Sequence, residues 1–302
     1  MESVPNESEK MDVADETDTK PIASTSTENA TYNRSHRGSV VTMPHVQEAI
    51  FEENYDTSHP KRGLAIIINQ VHFETMAVRD GSDKDRDSIR ATLASLGFAV
   101  RVYNDKKKDE LLKVLQAAAA EDHSQNDCLV VVAMTHGCKD ALYAQDGSYP
   151  IANLWKPFVG DACKTLLGKP KLFFIQACRG ESFDEGVKFA KVVSDTVDAR
   201  GPGSQLLYCI PTMADLLVMY STYAGHYSWR NPTNGSWFIQ SLSLELKENA
   251  HSKELLQLLT AVSRRVAYEY QSNVPGIEEM DAKKQMPCIV TMLTKALYFP
   301  PK

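Results

Sequence analysis

Residues 169–180 read K-P-K-L-F-F-I-Q-A-C-R-G. Pro170 marks a boundary, residues 172–175 form an apolar run short enough for a strand buried on both faces, and a small polar segment with one cysteine follows at once. Cys178 is therefore placed where a buried strand opens into a loop. In open α/β sheets ligands bind beyond the carboxyl ends of the strands, so a nucleophile is expected at such a position. The competing reading is a small buried hydrophobe, the commonest role of a free cysteine.

Working outward, the chain supplies the rest of a sheet. Residues 64–68 form another buried-strand run, and S-D-K-D at 82–85 opens a helix with Ile89, Leu93 and Leu96 on one face, closed by Gly97. Residues 98–103 read as a strand, 109–120 as a helix carrying Leu111, Leu112 and Leu115, and 129–134 as a fully apolar strand. Strands alternating with helices imply right-handed crossovers and a mostly parallel sheet. Asp146-Gly147 inside 141–149 suggests a small hairpin beside it. Beyond the cysteine, 181–205 is long, polar and punctuated by Gly201, Pro202 and Gly203, a length that inside a domain marks a functional or cut loop. Order resumes with an apolar segment at 216–220, helices at 236–246 and 255–266, and a last strand at 288–293. Residues 1 to about 50 are Ser, Thr, Asn, Glu and Asp rich and cannot bury enough surface to offset ordering, so they read as a disordered tail.

Composition narrows the classes. A chain of 302 residues with 43% apolar and 24% charged content can bury one large core or two modest ones. A net charge of -6 without a basic run argues against nucleic acid and anionic membrane surfaces. No apolar stretch is long enough for a bilayer and no basic-then-apolar leader is visible, so a cytoplasmic protein is expected. Cys128, Cys138, Cys163, Cys178, Cys209 and Cys288 form no C-x-x-C pair, which suggests reduced thiols and no structural zinc.

A catalytic cysteine needs a histidine within reach, to favour the thiolate and to protonate a leaving amine. His136 follows directly on the 129–134 strand and so emerges at the same sheet edge as Cys178. A histidine ending a buried strand is often only structural; two strand ends delivering Cys and His together favour chemistry. Gly137 lets its backbone N–H approach a substrate and, with the N–H of Cys178, would form an oxyanion hole. A metal or redox protein using His136, Cys138 and Cys178 is a different class of reading.

Gln176-Ala177-Cys178-Arg179-Gly180 matches the caspase signature Q-A-C-[RQG]-G in full. With Arg79-Asp80-Gly81, Thr135-His136-Gly137 and Tyr227-Ser228-Trp229-Arg230-Asn231 in the family's order, residues 55–302 resemble a caspase, and 282–299 resemble its executioner branch. The resemblance implies a three-layer α/β/α sandwich around a six-stranded, mostly parallel sheet. It implies Arg79, Gln176 and Arg230 around a substrate aspartate, where two guanidinium forks would neutralise a desolvated carboxylate. Tyr227 and Trp229 would form the adjoining apolar subsite, Ser228 would lie among them, and Asn231 with Trp237 would take an aspartate three positions upstream. Cys138 replaces a common Glu, and Thr222-Tyr223-Ala224-Gly225-His226 departs from the usual Pro-Gly-Tyr run.

The resemblance further implies an aspartate-directed cysteine endopeptidase with no cofactor, acting on proteins, made as a zymogen, working as a homodimer of large/small subunit pairs and taking part in apoptosis. Upstream initiator caspases and inhibitor-of-apoptosis proteins are the implied regulators. The alternative within the family is a catalytically silent scaffold. Independently, the tetrapeptides 12–15, 15–18 and 195–198 each begin and end in Asp. Acidic runs are usually solvated surface, but these sit in the tail and the long loop, which makes Asp15, Asp18, Asp195 and Asp198 candidate cleavage sites. The expected pieces are a prodomain 1–18, a large subunit 19–198 and a small subunit 199–302.

Overall fold

The computed structural model describes residues 52–180, 182–184, 211–274 and 276–302. The expected tail and Asp15, Asp18, Asp195 and Asp198 lie outside the described residues. The elements, in chain order, are β1 (Lys61–Asn69), α1 (Ser82–Ser95), β2 (Ala99–Asn104), α2 (Lys108–Ala119), β3 (Asn126–Met134), β4 (Ala141–Ala144), β5 (Gly147–Pro150), β6 (Lys171–Gln176), β7 (Leu216–Tyr220), β8 (Arg230–Asn231), β9 (Gly235–Ser236), α3 (Trp237–Asn249), α4 (Leu255–Glu269) and β10 (Cys288–Thr291).

Six strands form one sheet in the order β10-β7-β6-β3-β1-β2, parallel throughout except for β10 against β7. Alternate residues of each inner strand serve opposite layers. Ala65, Ile67, Val130, Val132, Leu172 and Phe174 face α1, α3 and α4 through Ile89, Leu93, Phe238, Leu242, Leu258 and Val262. Leu64, Ile66, Ile68, Leu129, Val131 and Phe173 face the other layer, built from α2, the β4–β5 hairpin and three 3-10 turns, Ile151–Leu154, Lys156–Phe158 and Gly160–Leu166. Each fully buried side chain of this kind stabilises by about 1.5–3 kcal/mol relative to exposure. Because both faces are covered, β1, β3 and β6 read as unbroken apolar runs and not as alternation.

The expected sandwich is the fold observed, with local differences. Helix α1 is not capped by Ser82: Gly81 (φ 84°) precedes it without a side-chain cap. The Ser82 hydroxyl instead donates to Asn69 Oδ1 at 2.6 Å and accepts from Arg79 Nη1 at 2.8 Å. A Cβ on Gly81 would come within 2.5 Å of Asn231 O and 2.8 Å of Pro232 O, so a glycine is what allows the Arg79 loop to touch the β8 loop. Strand β10 stops at Thr291, whose Oγ1 accepts the N–H of Leu293 at 3.2 Å. No helix among the described residues is long and apolar enough to cross a membrane.

Candidate active site

Parallel pairing of β3 with β6 sets Met134 opposite Gln176, so Thr135-His136-Gly137 and Ala177-Cys178 leave the sheet side by side. The Thr135 N–H still bonds Gln176 O at 3.1 Å, the last rung before the two loops diverge. They open into a cleft of about 370 Å³ lined by Arg79, Thr135, His136, Gln176, Ala177, Cys178, Phe183, Tyr227, Ser228, Trp229, Arg230 and Met280. Cys178 is half-buried, and its Sγ accepts the Ser228 N–H at 3.4 Å. Cys128 is the contrast: complete burial pushes its thiol up to about 12, which leaves it inert at neutral pH.

His136 is held from two sides. Its ring packs on Phe73 with centroids 4.8 Å apart, and Nε2 lies 2.9 Å from Ala77 O. A carbonyl only accepts, so Nε2 carries the hydrogen and Nδ1 is left as the basic nitrogen. Burial, the largest cause, holds this imidazole below the ordinary histidine range; the Ala77 bond works against it, and the charges of Arg79 and Arg230 add to the lowering. Such a group binds protons less readily folded than unfolded. Its contribution to stability is present above the unfolded value of about 6.5 and is lost as pH falls below it. His136→Gln is therefore expected to flatten the acidic limb of stability against pH in urea unfolding, and an unchanged limb would assign that slope to other groups.

Gly137 pairs with Leu142 at a narrow position whose hydrogen bonds belong to its neighbours, Tyr143 N to His136 O and Cys138 N to Ala141 O, both at 3.0 Å. Its own N–H is thus not used by the hairpin. A Cβ here would meet Cys178 O at 2.7 Å and Ala177 Cβ at 2.9 Å, so only glycine lets these loops approach. Cys138 is exposed, and no group of three or more His, Cys, Asp or Glu among the described residues is placed to hold a metal.

Opposite the thiol lies a cationic pocket. Arg79 is 1% exposed; Nη1 donates to Gln70 O at 3.0 Å and Ser82 Oγ at 2.8 Å, while Nε has no partner. Burial first, and then the like charge of Arg230, push its guanidinium down to about 9, so it stays cationic at neutral pH. Arg230 donates Nε to Asp80 O at 2.8 Å, and burial lowers it as well. Neither arginine has an ion pair among the described residues. Behind them Asp85, fully buried, accepts from Ser236 N and Gln240 Nε2, and its charge favours both cations. Gln176 donates Nε2 to Ser228 Oγ at 2.8 Å and leaves a buried Oε1 unpaired. Arg179 points elsewhere, stacking on Tyr220 at 3.9 Å.

Of the residues expected from sequence, Arg79, His136, Gln176, Cys178, Tyr227, Ser228, Trp229 and Arg230 line this one cleft. Trp237 is buried behind it, stacked between Trp229 and Tyr270, and Asn231 Oδ1 caps the turn by accepting from Thr233 and Asn234 N–H at 2.9 Å. Sequence reasoning missed Phe183, Ser221, Met280 and Gln285. Ser221 Oγ joins Ser228 Oγ to Ala177 O, and Gln285 bridges the Trp229 N–H to Ser221 O through its two amide atoms, at 2.6 and 2.8 Å. Only the polarity of Ser221 at the end of an apolar run could have drawn notice.

A doubly covered parallel sheet delivering Cys and His to one edge, beside a cleft open to solvent, defines a cysteine-type hydrolase. The family model described as Caspase domain matches residues 62–298. The chain is 41% identical to Caspase drICE of Drosophila melanogaster, over 89% of this chain and 77% of that one. It is 45% identical to Caspase-7 of Gallus gallus, over 81% and 79%. The crystal structure of Caspase-1 from Spodoptera frugiperda superposes with a TM-score of 0.77 at 42% identity, covering 83% of this chain and 95% of that one. The chain belongs to the caspase family, executioner branch, and is a cysteine-type endopeptidase.

Proposed function

We propose that this caspase is an aspartate-directed endopeptidase made as a zymogen, with Cys178 as nucleophile and His136 as acid/base. The observation that carries the reading is the pair of desolvated guanidiniums of Arg79 and Arg230, neither in an ion pair among the described residues, in the cleft that holds Cys178. Two such cations favour an anionic, planar group there, and a carboxylate is one.

In this reading the Cys178 thiol passes its proton to His136 Nδ1, and the sulfur attacks the carbonyl carbon after aspartate. The oxyanion forms within reach of the N–H groups of Gly137 and Cys178. His136 then donates its proton to the leaving amine as the C–N bond breaks, and water hydrolyses the thioester, returning the thiol. No cofactor enters. Tyr227 and Trp229 supply the apolar subsite, and Asn231 with Trp237 border the site for a further upstream aspartate, giving a D-x-x-D preference. Apoptotic execution in the cytoplasm, initiator caspases upstream and inhibitor-of-apoptosis proteins as regulators go with the family. A homodimer is supported by β10, whose outer edge is unpaired among the described residues and carries Val290, 44% exposed.

Fluorogenic tetrapeptides ending in Asp, Glu or Asn test the reading. Asp substrates are expected to dominate; equal turnover of all three would end it. Processing is the second expectation. The cut after Asp198 would separate the 19–198 and 199–302 pieces, and cuts after Asp15 or Asp18 would remove the prodomain. N-terminal sequencing of the small fragment should begin at Ala199. Full activity and unaltered cleavage in a chain carrying Asp195→Ala and Asp198→Ala would point to activation by association instead.

A further inference from the structure

Phe183 is a residue the mechanism leaves unused, yet it stands in the cleft. Its ring stacks on Tyr227 at 4.5 Å with 21° between planes and meets Trp229 at 5.8 Å and 31°. The backbone on both sides is pinned: Ser182 N bonds Gly225 O at 2.9 Å, Tyr227 N bonds Ser182 O at 3.0 Å, and Lys284 N bonds Asp184 O at 2.9 Å. In such an extended segment successive side chains point to opposite sides. Ser182 is exposed, while Phe183 is turned onto the aromatic pair and remains half-buried, with Met280 also on the cleft wall.

We infer that Phe183 is a specificity-determining residue, the third aromatic wall of the apolar subsite, narrowing it so that it takes a small side chain immediately before the substrate aspartate. The inference rests on the proposed cleavage after aspartate. By sequence Phe183 precedes Asp198, so it stays on the fragment bearing Cys178 after processing. The alternative is a ring that only plugs the subsite and hinders every substrate alike.

The experiment is a series of fluorogenic acetyl-Asp-Ala-X-Asp peptides, X being Ala, Val, Leu or Phe, on the processed full-length protein. The parent is expected to favour Ala and Val. Phe183→Ala should raise kcat/KM for Leu and Phe relative to Val by about tenfold or more, the scale of apolar pocket discrimination. Phe183→Leu keeps apolar bulk for folding and should move the ratio the same way by less; it decides the matter if Phe183→Ala does not fold. An active parent whose folded variants keep the parent ratio overturns the inference alone, as does an equal gain for all four peptides. A parent that cleaves none of them overturns the aspartate reading and this inference with it.

Discussion

Cys178→Ala is expected to remove essentially all peptidase activity while leaving the fold and its melting temperature near those of the parent. The thiol is half-buried, faces the cleft and has its hydrogen bonds with the Ser228 backbone, so removing one sulfur opens no core cavity. No other described cysteine can take its place. Cys128 and Cys163 are buried in the core layers, and Cys288 begins the edge strand. Cys138 is exposed two residues beyond His136 but outside the cleft lining, so Cys138→Ser should keep activity. His136→Ala should lower kcat by about 10²–10⁴, the range for a lost acid/base group. Turnover of Asp peptides by Cys178→Ala above a few hundredths of the parent rate, or loss of activity in Cys138→Ser, would move the nucleophile. Active-site titration with an aspartyl chloromethyl ketone, followed by peptide mapping, checks the same assignment independently.

The sheet was legible because its inner strands are buried on both faces, which leaves apolar runs such as 129–134 and 172–175 that need no knowledge of partners. The helices were legible from the spacing of Ile89 and Leu93, and of Leu258, Leu259 and Val262, all now in one core layer. The β8–β9 pair escaped because two residues per strand carry no period. The cleft was legible where short motifs mark it, as at Arg79, at His136, around Cys178 and between Tyr227 and Arg230. Gln285 reaches Trp229 and Ser221 across long separations, and Phe183 meets Tyr227 through backbone pairing that no local pattern announces. Ser82 misled for a related reason. Its hydroxyl looked like a helix cap, but the buried Arg79 and Asn69 compete for it and prevail, since an unsatisfied buried polar group costs about 1–3 kcal/mol.

Arg79 and Arg230 are expected to set specificity, each by a large factor. Two guanidiniums with no ion pair among the described residues, one of them 1% exposed and pushed down to about 9 by burial, are a standing cost to the folded chain. In the proposed reading a bound aspartate would relieve it, since its carboxylate would offset both charges. Removing either arginine leaves the incoming carboxylate desolvated and half neutralised, which should cost about 2–5 kcal/mol in kcat/KM for Asp substrates. Asn substrates carry no charge to neutralise and should lose much less, so the Asp-to-Asn ratio falls in Arg79→Ala and in Arg230→Ala. Arg→Lys separates charge from geometry: it keeps the cation but not the two-pronged donor, so partial recovery is expected. The two losses should be strongly non-additive if, as proposed, both arginines bind one carboxylate. If Arg230→Ala retained the parent's Asp-to-Asn ratio, the carboxylate would have to dock elsewhere. Asp85→Asn offers a further check from behind the pocket. It removes the charge that favours both cations and so should weaken Asp substrates through KM more than kcat, without altering the order of preference among the residues upstream of the aspartate.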